Sequence, residues 1–146
     1  MKPALFQITL KVFLCSDDRF LVLKDAAAQA GDLPGGRFGP GEIYRPWRES
    51  VLRELGEELG ERIAAAAKVE PDPLFYFPHF VTESGYEALG IAYRARIDNV
   101  DHRDAVRLSA EHDWFDWVSI NDYQAAPLFV DHLRDAVRRF QKLART

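Results

Sequence analysis

A single cysteine, Cys15, stands in 146 residues, so an internal disulfide has no second partner. A cystine-stapled scaffold is excluded, and Cys15, inside the apolar run ITLKVFLC, reads as a small buried hydrophobe. No stretch reaches the ~18 apolar residues of a membrane span, and Gln7, Thr9 and Lys11 interrupt the N-terminal apolar segment. Neither a signal peptide nor a membrane partner is expected, and the cytoplasm is the expected location. Positive charge is not in excess: the net charge is −4 and the pI about 5.6. That argues against a general nucleic-acid binder and leaves open only a local basic patch. Repeats, linkers and low-complexity tails are also missing, so one domain over residues 1–146 is expected. With 47% hydrophobic and 29% charged residues, the chain has the material for a core.

The apolar residues fall into short strands and amphipathic helices. Residues 4–15, ALFQITLKVFLC, are rich in β-branched and aromatic side chains and predict a strand. RFLVLKD (19–25) follows as its hairpin partner across Ser16-Asp17-Asp18. LPGGRFGPGE (33–42) predicts an irregular loop, and a helix is expected from about Pro46 to Leu59. Residues 63–69 are ambiguous between helix and extended chain. LFYFPHFV (74–81), YEALGIAYRARI (86–97) and DWFDWV (113–118) predict strands, with Pro78 marking a bulge or an edge. Ser119 to Asp122 has capping-box spacing and should open a short helix. A last helix, from Pro127 to Leu143, carries the stripe Phe129, Leu133, Ala136, Val137, Phe140 and Leu143. Such a stripe packs on a sheet or against a second copy in a homodimer. Interleaved strands and helices make the class α/β or α+β with a mixed sheet.

RESVLRELGEELGE (48–61) crowds Glu49, Glu54, Glu57, Glu58 and Glu61 into one helical stretch. Like charges three or four residues apart cost a helix roughly 0.2–0.5 kcal/mol per pair. At about 100° per residue, Glu57, Glu58 and Glu61 fall near Glu54, beside an apolar arc of Val51, Leu52, Leu55, Leu59 and Ile63. The acidic stripe therefore lies at the rim of the packing face. A solvated charged face is one explanation, but such faces usually alternate signs, and here only Arg53 flanks the cluster. Dense hard-oxygen donors also suit Mg²⁺ or Mn²⁺, which would offset the repulsion. Gly56 reads as a place where a backbone or ligand approaches closely.

The loop and helix together resemble a known signature. GRFGPGE (36–42) is Gly-x5-Glu, and RELGEELG (53–60) is Arg-Glu-apolar-x-Glu-Glu-x-Gly, as in the Nudix hydrolases. LPGG resembles that family's lead-in, and EHDWFDWVSINDY (111–123) its late strand and the turn after it. There are two departures. Ten residues, 43–52, separate Glu42 from Arg53, where the family pattern has seven, and Glu61 stands where the family has an apolar residue.

The resemblance implies a Nudix-type αβα sandwich with a central mixed sheet. It also implies a divalent-metal-dependent hydrolase that cleaves a diphosphate linkage in a small nucleoside di- or triphosphate-type substrate. By motif position it makes Glu54, Glu57 and Glu58 metal-binding carboxylates, gives Gly36 a carbonyl ligand and Glu42 a supporting role, and has Arg53 orient a glutamate. Glu54 is the favoured base, with Arg53 and Glu57 counted beside it as catalytic; Glu83, Glu87 and Glu111 are loop candidates, Glu111 first among them and placed with the substrate-binding residues. Arg37 and Phe38 are candidates for contacting phosphate and ring, together with Arg45, Trp47 and the aromatic strand Phe75, Tyr76, Phe77, His79 and Phe80. His79, His102, His112 and His132 lack zinc-like spacing and are assigned no metal. The rivals are a Nudix fold that only binds a nucleotide or protein, and an isoprenoid isomerase relative.

Overall fold

A computed structural model of the chain describes residues 1–80 and 85–144, with the side chain of Phe80 left aside. The expected N-terminal hairpin forms from β1 (Phe6–Ser16) and β2 (Arg19–Asp25), turning at Asp17. Two short strands follow, β3 (Gly31–Asp32) and β4 (Gly35–Arg37). Helix α1 (Trp47–Leu59), helix α2 (Glu61–Ala66) and β5 (Lys68–Val69) come next. β6 (Phe75–Phe80), β7 (Glu87–Arg96), β8 (His112–Ser119) and α3 (Asp131–Ala144) complete the order. β1 runs parallel to β7, from Phe6 opposite Glu87 to Cys15 opposite Arg96. The other pairings are antiparallel, so the sheet is mixed.

The period-two pattern of the central strands supplies both cores. Leu10, Val12, Leu14, Leu21 and Leu23 meet Val51, Leu55, Leu59 and Ile63 of α1 and α2. The alternate residues Phe13, Cys15, Phe20 and Val22 meet Leu133, Ala136, Val137 and Phe140 of α3. Phe13 and Phe140 stack with ring centroids 4.0 Å apart. Helices thus cover both faces, which is the αβα sandwich expected. Each buried leucine or phenylalanine is worth about 1.5–3 kcal/mol relative to exposure. Cys15 lies in the second core, where burial pushes its thiol up to about 11.

Several expectations need correction. The glycine loop is not wholly irregular, because β4 within it pairs with β1, Lys11 opposite Gly35 and Thr9 opposite Arg37. Residues 63–69 divide between the end of α2 and β5. No helix opens at Ser119: its Oγ accepts from Asn121 N at 3.2 Å, and Asp122 Oδ1 accepts from Gln124 N at 3.0 Å. These side chains hold the backbone in turns that compete with a helix. Pro127 lies in a 3-10 turn, Ala126–Leu128, ahead of α3. The α3 stripe covers the sheet, but Leu143 falls outside it and is 44% exposed. Pro78 sits in β6, whose one pairing among the described residues is to β7, as suits a residue with no N–H to donate. No described helix is long and apolar enough to cross a membrane.

Candidate active site

Helix α1 sets the acidic stripe. Val51, Leu55 and Leu59 of its apolar arc are fully buried and Leu52 partly so, which rolls Glu54 and Glu58 inward until they are 6% and 7% exposed, while Glu57 stays on the outer side. Glu61 does not share this face, since Gly60, at φ 93°, ends α1 and starts α2. The rim reading is therefore right for Glu57 and too shallow for its two neighbours.

Two glycines complete the geometry. Gly35 N–H donates to Glu58 Oε2 at 3.0 Å. Gly35 itself lies so close to β1 that a β-carbon would fall 1.9 Å from the carbonyl oxygen of Leu10. A β-carbon on Gly36 would lie 2.4–2.5 Å from the carboxylate of Glu54. The Gly-Gly pair thus lets the strand lie directly over both buried carboxylates. Gly56 has no such role: a β-carbon there would meet Ala64 Cβ at 3.6 Å, an ordinary contact.

Arg53 lies within the acidic group, beyond the flanking place the helical wheel gives it. Its fork donates to Glu42 from Nε at 3.0 Å and Nη2 at 2.7 Å. Nη1 lies 2.9 Å from Glu54 Oε1 and 3.2 Å from both Glu57 oxygens, and Nη2 donates to the Arg37 carbonyl at 3.1 Å. The three extra residues before the helix do not displace Glu42. They are taken up by a 3-10 turn, Glu42–Tyr44, and the extended Arg45. Ser50 Oγ and Gly39 N–H also donate to Glu42. The Arg53 hydrogen bonds, aided by Gly39 and Ser50, hold the Glu42 carboxyl down at about 2.

The buried pair behaves differently. Burial pushes Glu58 up to about 7, against the Gly35 N–H and the Lys11 charge. Burial also raises Glu54, against the charge of Arg53. Among the described residues, Glu58 has no cation within ion-pair distance.

These groups open onto a cleft of about 700 Å³ lined by Arg37, Glu54, Glu57, Glu58, Glu111 and Lys11, among others. Phe38 is not in its lining; its ring packs on Trp47 at 5.5 Å and against the core. Trp47 in turn donates its indole N–H to the Ile43 carbonyl at 3.0 Å, and Arg45 is exposed away from the cleft. Phe75 and Phe77 belong to the core, while His79 reaches the cleft wall, where burial lowers it to about 4 and keeps it neutral. Glu87 lines a separate apolar groove, and Glu83 lies outside the described residues.

Spacing along the chain gave no sign of the cleft's far wall. The loop before β8 docks on the end of α1, where Arg107 N donates to the Leu59 carbonyl at 2.8 Å and Ser109 N to the Glu58 carbonyl at 3.2 Å. That brings Glu111 and His112 beside Glu58, and ligand atoms of the three lie within 4.8 Å of one another. Lys11 Nζ donates to Asp32 Oδ1 at 2.8 Å, and His112 Nε2 lies 2.9 Å from Asp32 Oδ2. Burial opposes charge on all three groups, yet their pairing prevails: Asp32 is held well below the usual carboxylate range, and Lys11 and His112 are raised. Lys11 was the available clue, a cation inside a buried apolar strand that must have a partner.

With this geometry stand the relatives. A Nudix-domain profile matches residues 5–140, and the chain belongs to the Nudix family. Similar solved structures share its fold. The MutT protein of Methanosarcina mazei Go1 is 22% identical, with a TM-score of 0.76 and both chains covered in full. A Caenorhabditis elegans Ap4A hydrolase is 19% identical, with a TM-score of 0.73 over 95% of this chain and 98% of that one. The Nudix domain of Shewanella oneidensis NrtR, complexed with ADP ribose, is 19% identical, with a TM-score of 0.67 over 97% and 88%. A search of curated proteins returned no significant match.

Proposed function

We propose that this Nudix protein is a divalent-metal-dependent hydrolase that cleaves a phosphoanhydride in a small nucleotide-like substrate, working in the cytoplasm as one domain. The observation that carries the reading is the convergence of Glu54, Glu57 and Glu58 under the Gly35-Gly36 strand at a cleft of about 700 Å³. The donor set fits Mg²⁺ or Mn²⁺: hard carboxylate oxygens, two of them belonging to buried glutamates, and no cation paired with Glu58 among the described residues. Glu54, Glu57, Glu58 and the Gly36 carbonyl would hold it. A bound ion neutralises charge developing on phosphate and lowers the pKa of bound water.

The chain's own residues supply positioning. Arg53 holds Glu54 and Glu57 in one orientation through its planar fork. Glu42 takes up the other edge of that fork and fixes the arginine. Glu54 is the base: burial raises its affinity for a proton, against the charge of Arg53. Arg37, exposed in the cleft wall, offers a cation to the substrate's phosphates. Ap4A and ADP ribose, named with two of the similar structures, support choosing nucleotides with a phosphoanhydride bridge as the substrate class to try first.

A panel of nucleoside triphosphates, dinucleoside polyphosphates and nucleotide sugars, assayed with Mg²⁺ and with Mn²⁺, tests this. Cleavage of at least one at a phosphoanhydride is expected. Saturable binding of a panel member that is never consumed would make the protein a sensor and end the enzymatic reading.

A further inference from the structure

We propose that His112 is a nitrogen ligand in this site, joining Glu58 and Glu111 around one divalent ion, and that Asp32 fixes its ring for that task. The inference deepens the metal reading above and rests on it.

Three observations converge. Ligand atoms of Glu58, Glu111 and His112 already lie within 4.8 Å of one another. His112 is 5% exposed, and its Nδ1 is buried with no hydrogen-bond partner among the described residues. Its other nitrogen, Nε2, is committed to Asp32 Oδ2 at 2.9 Å.

The tautomer follows from the partner. Asp32 is anchored on its other oxygen, where Oδ1 accepts from Lys11 Nζ at 2.8 Å and from Leu33 N at 2.8 Å. An ionised carboxylate only accepts hydrogen bonds, so Nε2 carries a proton, and in the neutral ring Nδ1 presents a lone pair. A buried acceptor left without a partner is costly, and a cation held by the adjacent carboxylates satisfies it. Carboxylate, imidazole and metal in series is the usual way proteins orient a ligating histidine. Glu58 is set for the same task, since the Gly35 N–H occupies Oε2 and leaves Oε1 for a ligand. One imidazole among oxygens favours Mn²⁺ over Mg²⁺, which prefers oxygen throughout.

The test uses the full-length protein with Mn²⁺ alone, read by pulsed electron paramagnetic resonance. Bound Mn²⁺ should show coupling to an imidazole ¹⁴N in the wild type and none in His112→Gln. Mn²⁺ affinity should fall about 10- to 100-fold in His112→Gln and in Asp32→Asn, with Mg²⁺ affinity less affected. Mn²⁺ bound to the wild type without nitrogen coupling would overturn the inference and leave the hydrolase reading standing. Coupling that persists in His112→Gln would also overturn it. Failure of Mn²⁺ to bind at all would remove both readings. Should His112→Gln not fold, His79→Gln serves instead, because His79 also lines the cleft: nitrogen coupling that survives there supports His112, and coupling lost there would overturn the inference.

Discussion

The Glu54 carboxylate occupies the space that a side chain on Gly36 would need: a β-carbon built there lies 2.4 Å from Glu54 Oε2. The clash cannot be shed cheaply, because Glu54 is buried and held by Arg53 at 2.9 Å. Gly36→Ala should move the carboxylate by a large fraction of an ångström and cost activity about 100-fold. Substrate turnover measured beside the melting temperature checks this, with turnover collapsing and the fold retained.

Arg53 should not tolerate its usual replacement. A lysine carries the charge but not the planar fork that holds Glu42 by two hydrogen bonds while reaching Glu54 and Glu57. Arg53→Lys should lose most turnover with little change in the urea midpoint. A variant with near-normal kcat would show that charge alone is enough.

Glu58 sets a pH dependence in the metal-free protein. Burial raises its folded pKa to about 7, whereas an unfolded glutamate titrates near 4.3. Between those values the folded state keeps a proton that the unfolded chain has released, so stability falls as pH rises through this window. Below it both states are protonated and no penalty applies; above it the penalty is complete. In EDTA at pH 8, Glu58→Gln should therefore melt higher than the wild type by several degrees. Both Glu58→Gln and Glu57→Gln should lose most turnover. A melting temperature that drops in both would instead assign these glutamates to structural ion pairs.

Gly56 offers a gain. Because an alanine there meets nothing closer than Ala64 Cβ at 3.6 Å, Gly56→Ala should stabilise the protein by about 0.5–1 kcal/mol. Chemical denaturation reads the change, and turnover should be unaltered. Lost activity would restore the idea that a ligand needs the open backbone.

The sequence made the acidic helix legible because its chemistry is local: apolar period, glycine turn and glutamate spacing all lie within residues 33–60. The hairpin was legible for the same reason, since β1, β2 and the turn between them are contiguous in the chain. Lys11, Asp32 and His112 were not. They lie on three strands, and pairings made across the sheet bring them together, with Leu23 opposite Asp32 and Asp25 opposite His112. The role of Arg53 as a hub also escaped the helical wheel, because its partner Glu42 comes from the loop. Ser119 misled for a converse reason, as its capping pattern was spent on turns held by its own hydroxyl and by Asp122.

The most direct test of the central claim is phosphoanhydride cleavage followed through removal and return of metal. With the best substrate from the panel, excess EDTA should stop product release, and added Mg²⁺ or Mn²⁺ should restore it in the wild type but not in Glu58→Gln. Release that continues undiminished in EDTA would contradict the account.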